Sequence, residues 1–369
     1  MDEVLAELLR RCDDGDAVAL ATVVETWRSA PHPAGAAMLV GPDGSVTGSV
    51  SGGCVEAALH ESCQEALRTG RPALLRFGVT GRDAFAAGLT CGGTIDVYVE
   101  RVTSAGFPEL AVLAEAVRSG AAVAVLTCVR GPAGRLGRRI VAGPDDHHGT
   151  LGDTRLDEAA VTAGRRLLAE GRSGPLRLPP DDCGAADQVT VLVRSYAPPP
   201  RLIVFGAIDV AAELARIGVV LGYRVTVCDA RPVFATARRF PQAQEVVVDW
   251  PHRYLAAEVA AGRLNERTAV CVLTHDAKFD VPALRLALDL ELGFVGAMGS
   301  RRTHHDRLGR LREAGVTEAA LARLSSPVGL DLGGRSAAET AVSIAAELVA
   351  VRNGRRGGRL RDATGSIHG

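Results

Sequence analysis

The C-terminal part of the chain alternates short apolar runs with amphipathic helical segments, and this pattern narrows its fold more than any other feature. Hydrophobicity is nearly continuous within each run, which is typical of parallel strands covered on both faces. The last helix opens with Ser336 and Glu339 in capping-box spacing. The sequence therefore predicts a Rossmann-like, doubly wound parallel sheet at 201–352. The predicted strands are RLIVFG (201–206), RVTVCDA (224–230), EVVVDW (245–250), TAVCVLTHD (268–276) and GFVGAMGS (293–300).

A proline-rich stretch, YAPPPR at 196–201, separates this part from the preceding one. Successive prolines stiffen the backbone and forbid helix, so we expect a linker at 197–200. It bounds an N-terminal domain at 1–196. The residues from 353 to 369 are rich in Gly and Arg and are expected to form a flexible tail.

The N-terminal part contains an apparent internal duplication. AVALATVV at 17–24 resembles AVAVLTCV at 122–129, and VGPDGSVTGS at 40–49 resembles AGPDDHHGT at 142–150. β-Branched residues mark strands in both copies, and Gly-Pro-Asp marks a turn. We expect a duplicated α+β domain arranged about a pseudo-twofold axis. Chance similarity in a sequence rich in Ala and Val is the alternative.

Composition excludes several classes of protein. The formal net charge of −1 gives the chain as a whole no attraction to nucleic acid or to an anionic membrane. No apolar run approaches the roughly 20 residues that span a bilayer, and the N-terminus has no signal-peptide core. The eight cysteines form no C-x-x-C pair, which argues against a disulfide framework or a structural zinc site. We expect a cytoplasmic protein without a membrane span.

The first strand–turn–helix of the predicted Rossmann domain carries half of a dinucleotide signature. Gly206 occupies the first position of a G-x-G-x-x-G fingerprint, but Ile208 and Ala211 replace the other two glycines. A β-branched residue at the second position obstructs the approach of a pyrophosphate. Asp229 stands where a ribose-binding acid belongs. Two interpretations stay open: the crevice binds NAD(P) despite this obstruction, or the domain is a Rossmann scaffold with a plugged crevice.

Polar residues follow several of the predicted strands, at the sheet edge where α/β proteins bind ligands. Ser300 is a predicted N-cap, and Arg301 and Arg302 follow it. Because a helix N-terminus disfavours cations, two arginines there suggest an anionic partner such as a phosphate. Pairing with Asp306 is the alternative. His275 is predicted either to cap the next helix or to contact a ligand, with proton transfer left open. The residues gathered at this edge are Asp229, Arg231, Thr274, His275, Asp276, Gly299, Ser300, Arg301 and Arg302.

Two glycine-flanked cysteines lie in the N-terminal part. One is Cys54, in the segment Ser51–Gly52–Gly53–Cys54 with Glu56 two residues further on. A helix N-terminus lowers a thiol pKa from about 8.5, and the N–H groups of residues 52–54 are expected to form an anion-binding nest. The other, Cys91, precedes Gly92 and Gly93. Cys54 and Cys91 suit a soft metal centre or a sulfur atom.

Burial of these cysteines is the alternative, since free cysteine is among the most buried residues. The duplication argues against it for Cys54. The second copy keeps the helix, but the sequence alignment places Asp-Thr-Arg-Leu (153–156) opposite 51–54. Because the fold does not require Ser-Gly-Gly-Cys at this turn, we expect the segment to serve a ligand.

Taken together, these motifs resemble the XdhC/CoxI family, accessory factors for xanthine dehydrogenase and related molybdenum hydroxylases. Coverage is nearly complete and weakest between about 105 and 195. Two positions depart from the family, which usually has Gly and His in place of Ile208 and Asp209, and Arg in place of His32. The N-terminal resemblance rests on GSVSGGCVEAAL, TCGGTIDVYVE and SAPHPAGAAMLV, and the C-terminal one on GYRVTVCDARPVFA, VLTHDAKFD, FVGAMGSRRT and SPVGLDLGGRSAAETAVSIAAEL.

The resemblance implies a chaperone, rather than an enzyme, that binds molybdenum cofactor, supports its sulfuration and inserts it into an apo-hydroxylase. The implied partners are that hydroxylase, a cysteine desulfurase-type sulfur donor and cofactor biosynthesis proteins, with a homodimer expected. Two other functions stay open. One is an NAD(P)-dependent oxidoreductase using His275, and the other is a sulfur carrier with a persulfide on Cys54 or Cys91.

Overall fold

A computed structural model of the chain describes residues 3–28, 32–78, 93–178 and 188–362. The chain divides between Pro198 and Pro199 into two compact units. Within the described residues, no helix is long and apolar enough to cross a bilayer. The domain bounds of 1–196 and 201–352 and the tail at 353–369 stay predictions.

The N-terminal unit is built from two copies of one seven-element pattern, and in each copy a five-stranded antiparallel sheet carries the pattern. The sheets have the strand orders β3-β2-β1-β5-β4 and β8-β7-β6-β10-β9, so the duplication predicted from the sequence is confirmed. The first copy comprises α1 (Glu3–Asp13), β1 (Val18–Trp27), β2 (Ala37–Val40), β3 (Val46–Gly48), α2 (Glu56–Thr69), β4 (Ala73–Phe77) and β5 (Thr94–Val102). The second comprises α3 (Leu110–Ser119), β6 (Val123–Arg130), β7 (Arg139–Ala142), β8 (His147–Gly149), α4 (Thr154–Glu170), β9 (Gly174–Leu178) and β10 (Val189–Tyr196).

Successive side chains of each strand point to opposite faces of its sheet, and this alternation divides the unit into layers. On β1, Ala19, Ala21 and Val23 belong to an apolar cluster with α2. The intervening Leu20 joins a second cluster with residues of the other sheet and of α1 and α3. The inner faces of the two sheets therefore meet at a shared core, and α2 and α4 cover the outer faces.

Gly48 and Gly149 end the third strand of each copy and fix how the copies align. Both have positive φ, +81° and +90°. A Cβ at either position would lie 2.4 Å from a carbonyl oxygen of the neighbouring strand, that of Ala37 or Arg139. Only glycine tolerates both the conformation and the contact. Gly48 and Gly149 are therefore equivalent positions of the two copies. In the segment that follows them, each residue of the first copy corresponds to the residue 101 positions later in the second.

The C-terminal unit is a six-stranded parallel sheet with helices packed on both faces. Its strand order, β13-β12-β11-β14-β15-β16, is that of a Rossmann fold, as predicted. The sequence pattern did not reveal β16, which has only two residues. The elements are β11 (Arg201–Phe205), α5 (Asp209–Val220), β12 (Arg224–Cys228), β13 (Glu245–Val247), α6 (Pro251–Ala260), β14 (Ala269–Val272), α7 (Ala277–Leu288), β15 (Phe294–Ala297), α8 (Arg301–Glu313), α9 (Glu318–Leu321), β16 (Leu324–Ser325) and α10 (Ala337–Arg352), which opens with the predicted capping box.

Candidate functional site

The Ser-Gly-Gly-Cys segment forms a tight turn between β3 and α2. Gly52 and Gly53 have φ of +72° and +115°, and no atom lies within 4 Å of a Cβ placed on either. Backbone conformation, rather than crowding, therefore requires glycine at both positions. The space beside both glycines is open. Helix α2 begins at Glu56, and its N-cap residue, Val55, supplies no side-chain cap.

The Glu56 carboxylate closes this turn from the inside. It accepts the Ser49 hydroxyl at 2.6 Å and the backbone N–H groups of Ser51 and Gly53 at 2.9 Å. The Ser51 hydroxyl donates to it as well. Burial acts to raise the pKa of Glu56, but hydrogen bonds from Ser49 and Ser51 outweigh it and lower the pKa to about 2. Glu56 is therefore an ionised structural group of the turn.

The expectation of an anion-binding nest at residues 52–54 is wrong. Gly52 N–H donates to the Ser49 hydroxyl at 3.0 Å, and Cys54 N–H donates to the Ser51 hydroxyl at 3.1 Å. Gly53 N–H donates to Glu56. All three donors are engaged within the turn, and an anion at that point would meet the Glu56 carboxylate. The N–H groups of this turn are therefore not available to an anion, and the half-buried Cys54 thiol stays the candidate ligand contact.

Cys54 is half-buried and packs against the apolar cluster beneath α2. Every other cysteine in the described ranges is buried. Cys91 and Gly92 lie outside the described residues, whereas Gly93 immediately precedes β5. The described part of the chain holds no group of three or more His, Cys, Asp or Glu side chains that could bind a metal ion. A metal at this turn would therefore depend on Cys54 and on ligands it brings with it.

The second copy keeps the carboxylate contacts of this connection, but its helix begins earlier, at Thr154, which corresponds to Gly53. Asp157 accepts the Thr150 hydroxyl at 2.6 Å and the Leu151 N–H at 2.7 Å, as Glu56 does in the first copy. Asp153 caps α4 through the N–H of Leu156, at 2.9 Å. The offset of 101 residues corrects the sequence alignment by one position. The residues opposite 51–54 are Gly-Asp-Thr-Arg (152–155), and Arg155 is the counterpart of Cys54.

In the C-terminal unit, the turn after β11 is shaped by its own neighbours. Gly206 has a φ of +111°, and a Cβ there would lie 2.9 Å from Cγ2 of Thr274. The glycine is therefore required by the adjacent strand end, whether or not a ligand is present. Arg239 braces the same turn by donating to the Ala207 carbonyl at 2.9 Å and to Asp209 at 3.1 Å. Nothing in the sequence pattern marks Arg239 for this role.

Asp229, the predicted ribose-binding acid, is only 2% exposed. It accepts the Ala207 N–H at 2.8 Å and pairs with Arg231, whose Nη2 lies 2.8 Å from Oδ2. Burial acts to raise the pKa of Asp229, and the hydrogen bonds from Arg231 and Ala207 lower it below its ordinary value. The Asp229 carboxylate thus links the turn after β11 to the end of β12 by hydrogen bonds. It is not free to receive a ribose hydroxyl, which weakens the case for a dinucleotide further.

Ser300 caps α8, as predicted, by accepting the Thr303 N–H at 3.1 Å. Gly299 precedes it, and Arg301 and Arg302 begin the helix. Both arginines are exposed and have no ion pair among the described residues, so pairing with Asp306 is not observed. Two unpaired cations thus stand in the first turn, where the helix dipole disfavours them. This edge can receive an anion.

His275 is exposed and does not cap α7. Asp276 caps the helix instead, accepting the Lys278 N–H at 3.1 Å, which corrects the expectation for His275. His275 lines a cleft of about 80 Å³ together with the buried residues Asp280 and Arg307.

Asp280 and Arg307 form a buried ion pair at this edge, with Nη2 of Arg307 3.1 Å from Oδ2 of Asp280. Burial raises the pKa of Asp280, and the hydrogen bonds from Thr274 and Arg307 oppose that rise. Arg307 also donates to the Met298 carbonyl at 2.8 Å. The sequence gives no sign of this pair, because nothing distinguishes Arg307 from the other arginines of α8. It fixes α7 and α8 to the sheet edge.

Comparison with known proteins agrees with this architecture. Residues 202–348 match the family model of the XdhC Rossmann domain, and residues 12–78 match that of the XdhC and CoxI family. The chain belongs to the XdhC and CoxI family. The N-terminal match includes the Cys54 turn, and the C-terminal match includes Asp229, His275 and Arg301.

Two full-length relatives cover nearly the whole chain. A protein of Bacillus subtilis named as a probable xanthine dehydrogenase subunit is 27% identical over 343 residues, which are 92% of this chain and 94% of the relative. The molybdenum cofactor insertion chaperone PaoD of Escherichia coli is 28% identical over 338 residues, 92% of this chain and 84% of PaoD. A crystal structure from Bacillus halodurans, described as a xanthine dehydrogenase, shares the fold with a TM-score of 0.66. It is 23% identical and the match covers 96% of this chain and 97% of that one.

Proposed function

We propose that this chain is a maturation factor that binds molybdenum cofactor and inserts it into a molybdenum hydroxylase. Membership of the XdhC and CoxI family and the similarity to PaoD support this proposal. The observation that carries it is the Cys54 turn. The first copy places a half-buried thiol after two glycines with positive φ and open space beside them, whereas the second copy has Asp, Thr and Arg at these positions and begins its helix there.

The residues of the turn suit the metal end of such a cargo. Molybdenum in this cofactor carries sulfur and oxo ligands, and a thiolate is the protein ligand that a soft metal centre prefers. The space beside Gly52 and Gly53, which precede Cys54, is open. The Ser49, Ser51 and Glu56 network holds the turn in shape, so Cys54 would meet the cargo without reordering of the backbone.

The phosphate or nucleotide end of the cargo suits the C-terminal unit. Arg301 and Arg302 stand exposed in the first turn of α8, where a phosphate would be favoured by their charges and by the helix N-terminus. Gly206, Asp229, His275, Asp276, Gly299 and Ser300 shape the same sheet edge, and we assign them to positioning this end.

The finer parts of the proposal are support of sulfuration and the partners. We assign the terminal sulfur to the Cys54 turn and expect a cysteine desulfurase-type protein to supply it. Cofactor biosynthesis proteins would supply the cargo, and an apo-hydroxylase in the cytoplasm would receive it from a homodimer. A persulfide carried on Cys54 itself is the second candidate, because Cys54 is the described cysteine that is not buried.

Purification without oxygen from cells that overproduce the cofactor tests the proposal. We expect the parent chain to retain molybdenum and pterin, and Cys54→Ala to lose most of both. Arg155→Ala changes the counterpart residue and should retain them as the parent does. The proposal is refuted if the parent carries neither molybdenum nor pterin. It is also refuted if Cys54→Ala and Arg301→Ala each retain as much molybdenum and pterin as the parent. A mass increase of about 32 daltons on Cys54 without bound pterin would favour the persulfide carrier.

A further inference from the structure

The N-terminal unit contains a second cleft that the proposed function does not use. Its volume is about 370 Å³, within the range of small-molecule sites, about 300–1,000 Å³. Three of its lining residues, Tyr98, Glu100 and Arg139, are among the buried polar residues of the unit, at 2%, 7% and 9% exposure. Polar groups at the floor of a cleft of this size are the usual specificity elements of a binding site.

One of these groups lacks the hydrogen bond that burial demands. The Tyr98 hydroxyl has no hydrogen-bond partner among the described residues. Nη2 of Arg139, by contrast, is in close contact with Oε1 of Glu100. Leaving a buried donor unsatisfied costs free energy, so such groups in native proteins call for an explanation.

Burial also acts on the charge pair itself. It raises the pKa of Glu100, and Arg139 opposes that rise. A buried ion pair costs more in desolvation than an apolar pair of similar size, and it is therefore weak evidence of a stabilising role. Arg139 is further fixed against the ring of Phe107, 4.7 Å away. Contacts with Glu100 and Phe107 thus position the Arg139 side chain within the lining of the cleft.

The second repeat again serves as an internal control. In the first sheet, Tyr98 and Ala37 pair with Thr22 on its two sides. In the second, Leu192 and Arg139 pair with Thr127 in the same places. The position of Tyr98 is thus filled by Leu192 in one copy, and that of Arg139 by Ala37 in the other. The fold does not need either polar side chain.

Gly137 leaves the approach to this floor open. Its φ is +77°, and a Cβ there would lie 3.5 Å from Oε2 of Glu100 and 3.6 Å from the Tyr98 hydroxyl. A larger side chain would project into the cleft in front of both groups. Arg101 and Arg138 are exposed at the rim, and Glu109 lines the cleft as well.

We propose that this cleft binds a 2-amino-4-oxopyrimidine ring that carries a phosphate, the ring edge shared by pterins and guanine. Oε2 of Glu100 accepts a hydrogen bond from the amino group of the ring. The unpartnered Tyr98 hydroxyl donates to its carbonyl oxygen. Arg101 and Arg138 at the rim receive the phosphate. This ligand is separate from the cargo proposed above, whose phosphate end is assigned to Arg301 and Arg302, so the inference does not rest on the proposed function.

Calorimetric titration of the full chain tests the proposal. The probes are a 6-hydroxymethylpterin phosphate and guanosine monophosphate. Inosine monophosphate lacks the amino group, and ribose 5-phosphate lacks the ring. We expect one or both of the first two to bind, inosine monophosphate to bind about tenfold more weakly than guanosine monophosphate, and ribose 5-phosphate not to bind.

Tyr98→Phe should weaken binding about tenfold. Gly137→Asn should abolish it, since Asn tolerates the backbone conformation but fills the approach. Tyr223→Phe, which alters a buried tyrosine of the other unit, should have no effect.

The outcomes separate the two possible ligands and the two proposals. Binding of the pterin phosphate alone identifies the pterin as the ligand, and binding of guanosine monophosphate alone identifies a guanine nucleotide. Absence of binding by both, equal binding of ribose 5-phosphate, or unchanged binding in both cleft variants overturns the inference. Molybdenum analysis of the same preparations distinguishes the proposals. If the parent carries no molybdenum but binds a probe that the cleft variants do not bind, the proposed function is refuted and the cleft proposal is supported. If the parent carries molybdenum but binds no probe, the cleft proposal is refuted and the proposed function is supported.

Discussion

Glu56 and Asp157 lie 101 residues apart and close equivalent turns in the two copies of the N-terminal unit. Each accepts the hydroxyl of the residue that follows the last glycine of a strand, Ser49 or Thr150, and the next backbone N–H. The carboxylate is therefore part of how this turn folds. The copies differ in the segment before the carboxylate: Gly-Gly-Cys has two glycines with positive φ, whereas Asp-Thr-Arg caps and begins helix α4.

Replacing Glu56 with Gln should lower the free energy of unfolding by about 1–3 kcal/mol at neutral pH, because an amide cannot accept all the donors that surround the carboxylate. The pKa of Glu56 is lowered from 4.5 to about 2 in the fold. Its stabilisation is therefore complete above pH 4.5 and lost as the pH falls towards 2. The difference in melting temperature between Glu56→Gln and the parent should shrink over that interval.

Thermal unfolding at a series of pH values measures this difference. Asp157→Asn is the matched control, and it should cost less stability because Asp157 accepts fewer N–H groups from its turn. A difference for Glu56→Gln that stays constant between pH 4.5 and pH 2 would show that ionisation of Glu56 plays no part in stabilising the turn.

Alkylation should single out Cys54 among the described cysteines. Burial raises the pKa of Cys63, Cys228 and Cys271 to about 12, so only about one thiol in ten thousand is ionised at pH 8. Cys54 is half-buried at an open turn. We expect iodoacetamide at pH 8 to modify Cys54 well before these three, as measured by peptide mass mapping. In denaturant all four should react alike, and equal rates in the native chain would contradict the exposure assigned to Cys54.

The fold was predictable where the pattern is local. Each core strand of the C-terminal sheet is an apolar run that ends at a glycine or a polar cluster, so its existence and parallel packing follow from the sequence. The two-residue strand β16 carries no such pattern. In the N-terminal unit the Gly-Pro-Asp turns revealed the duplication. The sequence alignment of α2 with α4 was wrong by one residue. It matched Glu56 to Glu158, where Glu-Ala-Ala recurs, whereas the structural counterpart of Glu56 is Asp157.

The sites were less predictable, because they depend on side chains that fold back on the backbone. The turn at residues 52–54 has the composition of an anion nest, but Glu56 and two serines occupy its donors. Asp229 has the spacing of a ribose ligand, yet Arg231 and the Ala207 N–H occupy it. Residue type and spacing place a group at an edge. They do not determine which hydrogen-bond partner the folded chain brings to that group.

Arg301 and Arg302 should prove unnecessary for stability. Unpaired cations in the first turn of a helix oppose its dipole, so Arg301→Glu and Arg302→Glu should each stabilise the unit by about 0.3–1 kcal/mol at low ionic strength. The gain should shrink at high salt concentration, because these side chains are exposed. Thermal unfolding at low and high salt measures it. As a control, Arg312→Glu should destabilise, since it breaks the pair with Glu318 and places an anion in the last turn. A loss of stability in Arg301→Glu would remove the argument that this arginine awaits an anion.

Transplanting one turn into the other copy tests whether the Cys54 turn exists for a ligand. Replacing residues 51–54 with Gly-Asp-Thr-Arg supplies the sequence that connects strand to helix in the second copy, including an N-cap aspartate equivalent to Asp153. We expect this chain to fold with a melting temperature close to that of the parent and to lose bound molybdenum and pterin. The reverse exchange at 152–155 should retain the cofactor and lose about 1 kcal/mol of stability with the Asp153 cap. If the first exchange retains the cofactor, the thiol and its glycines are not its binding site; if it fails to fold, the turn is structural after all.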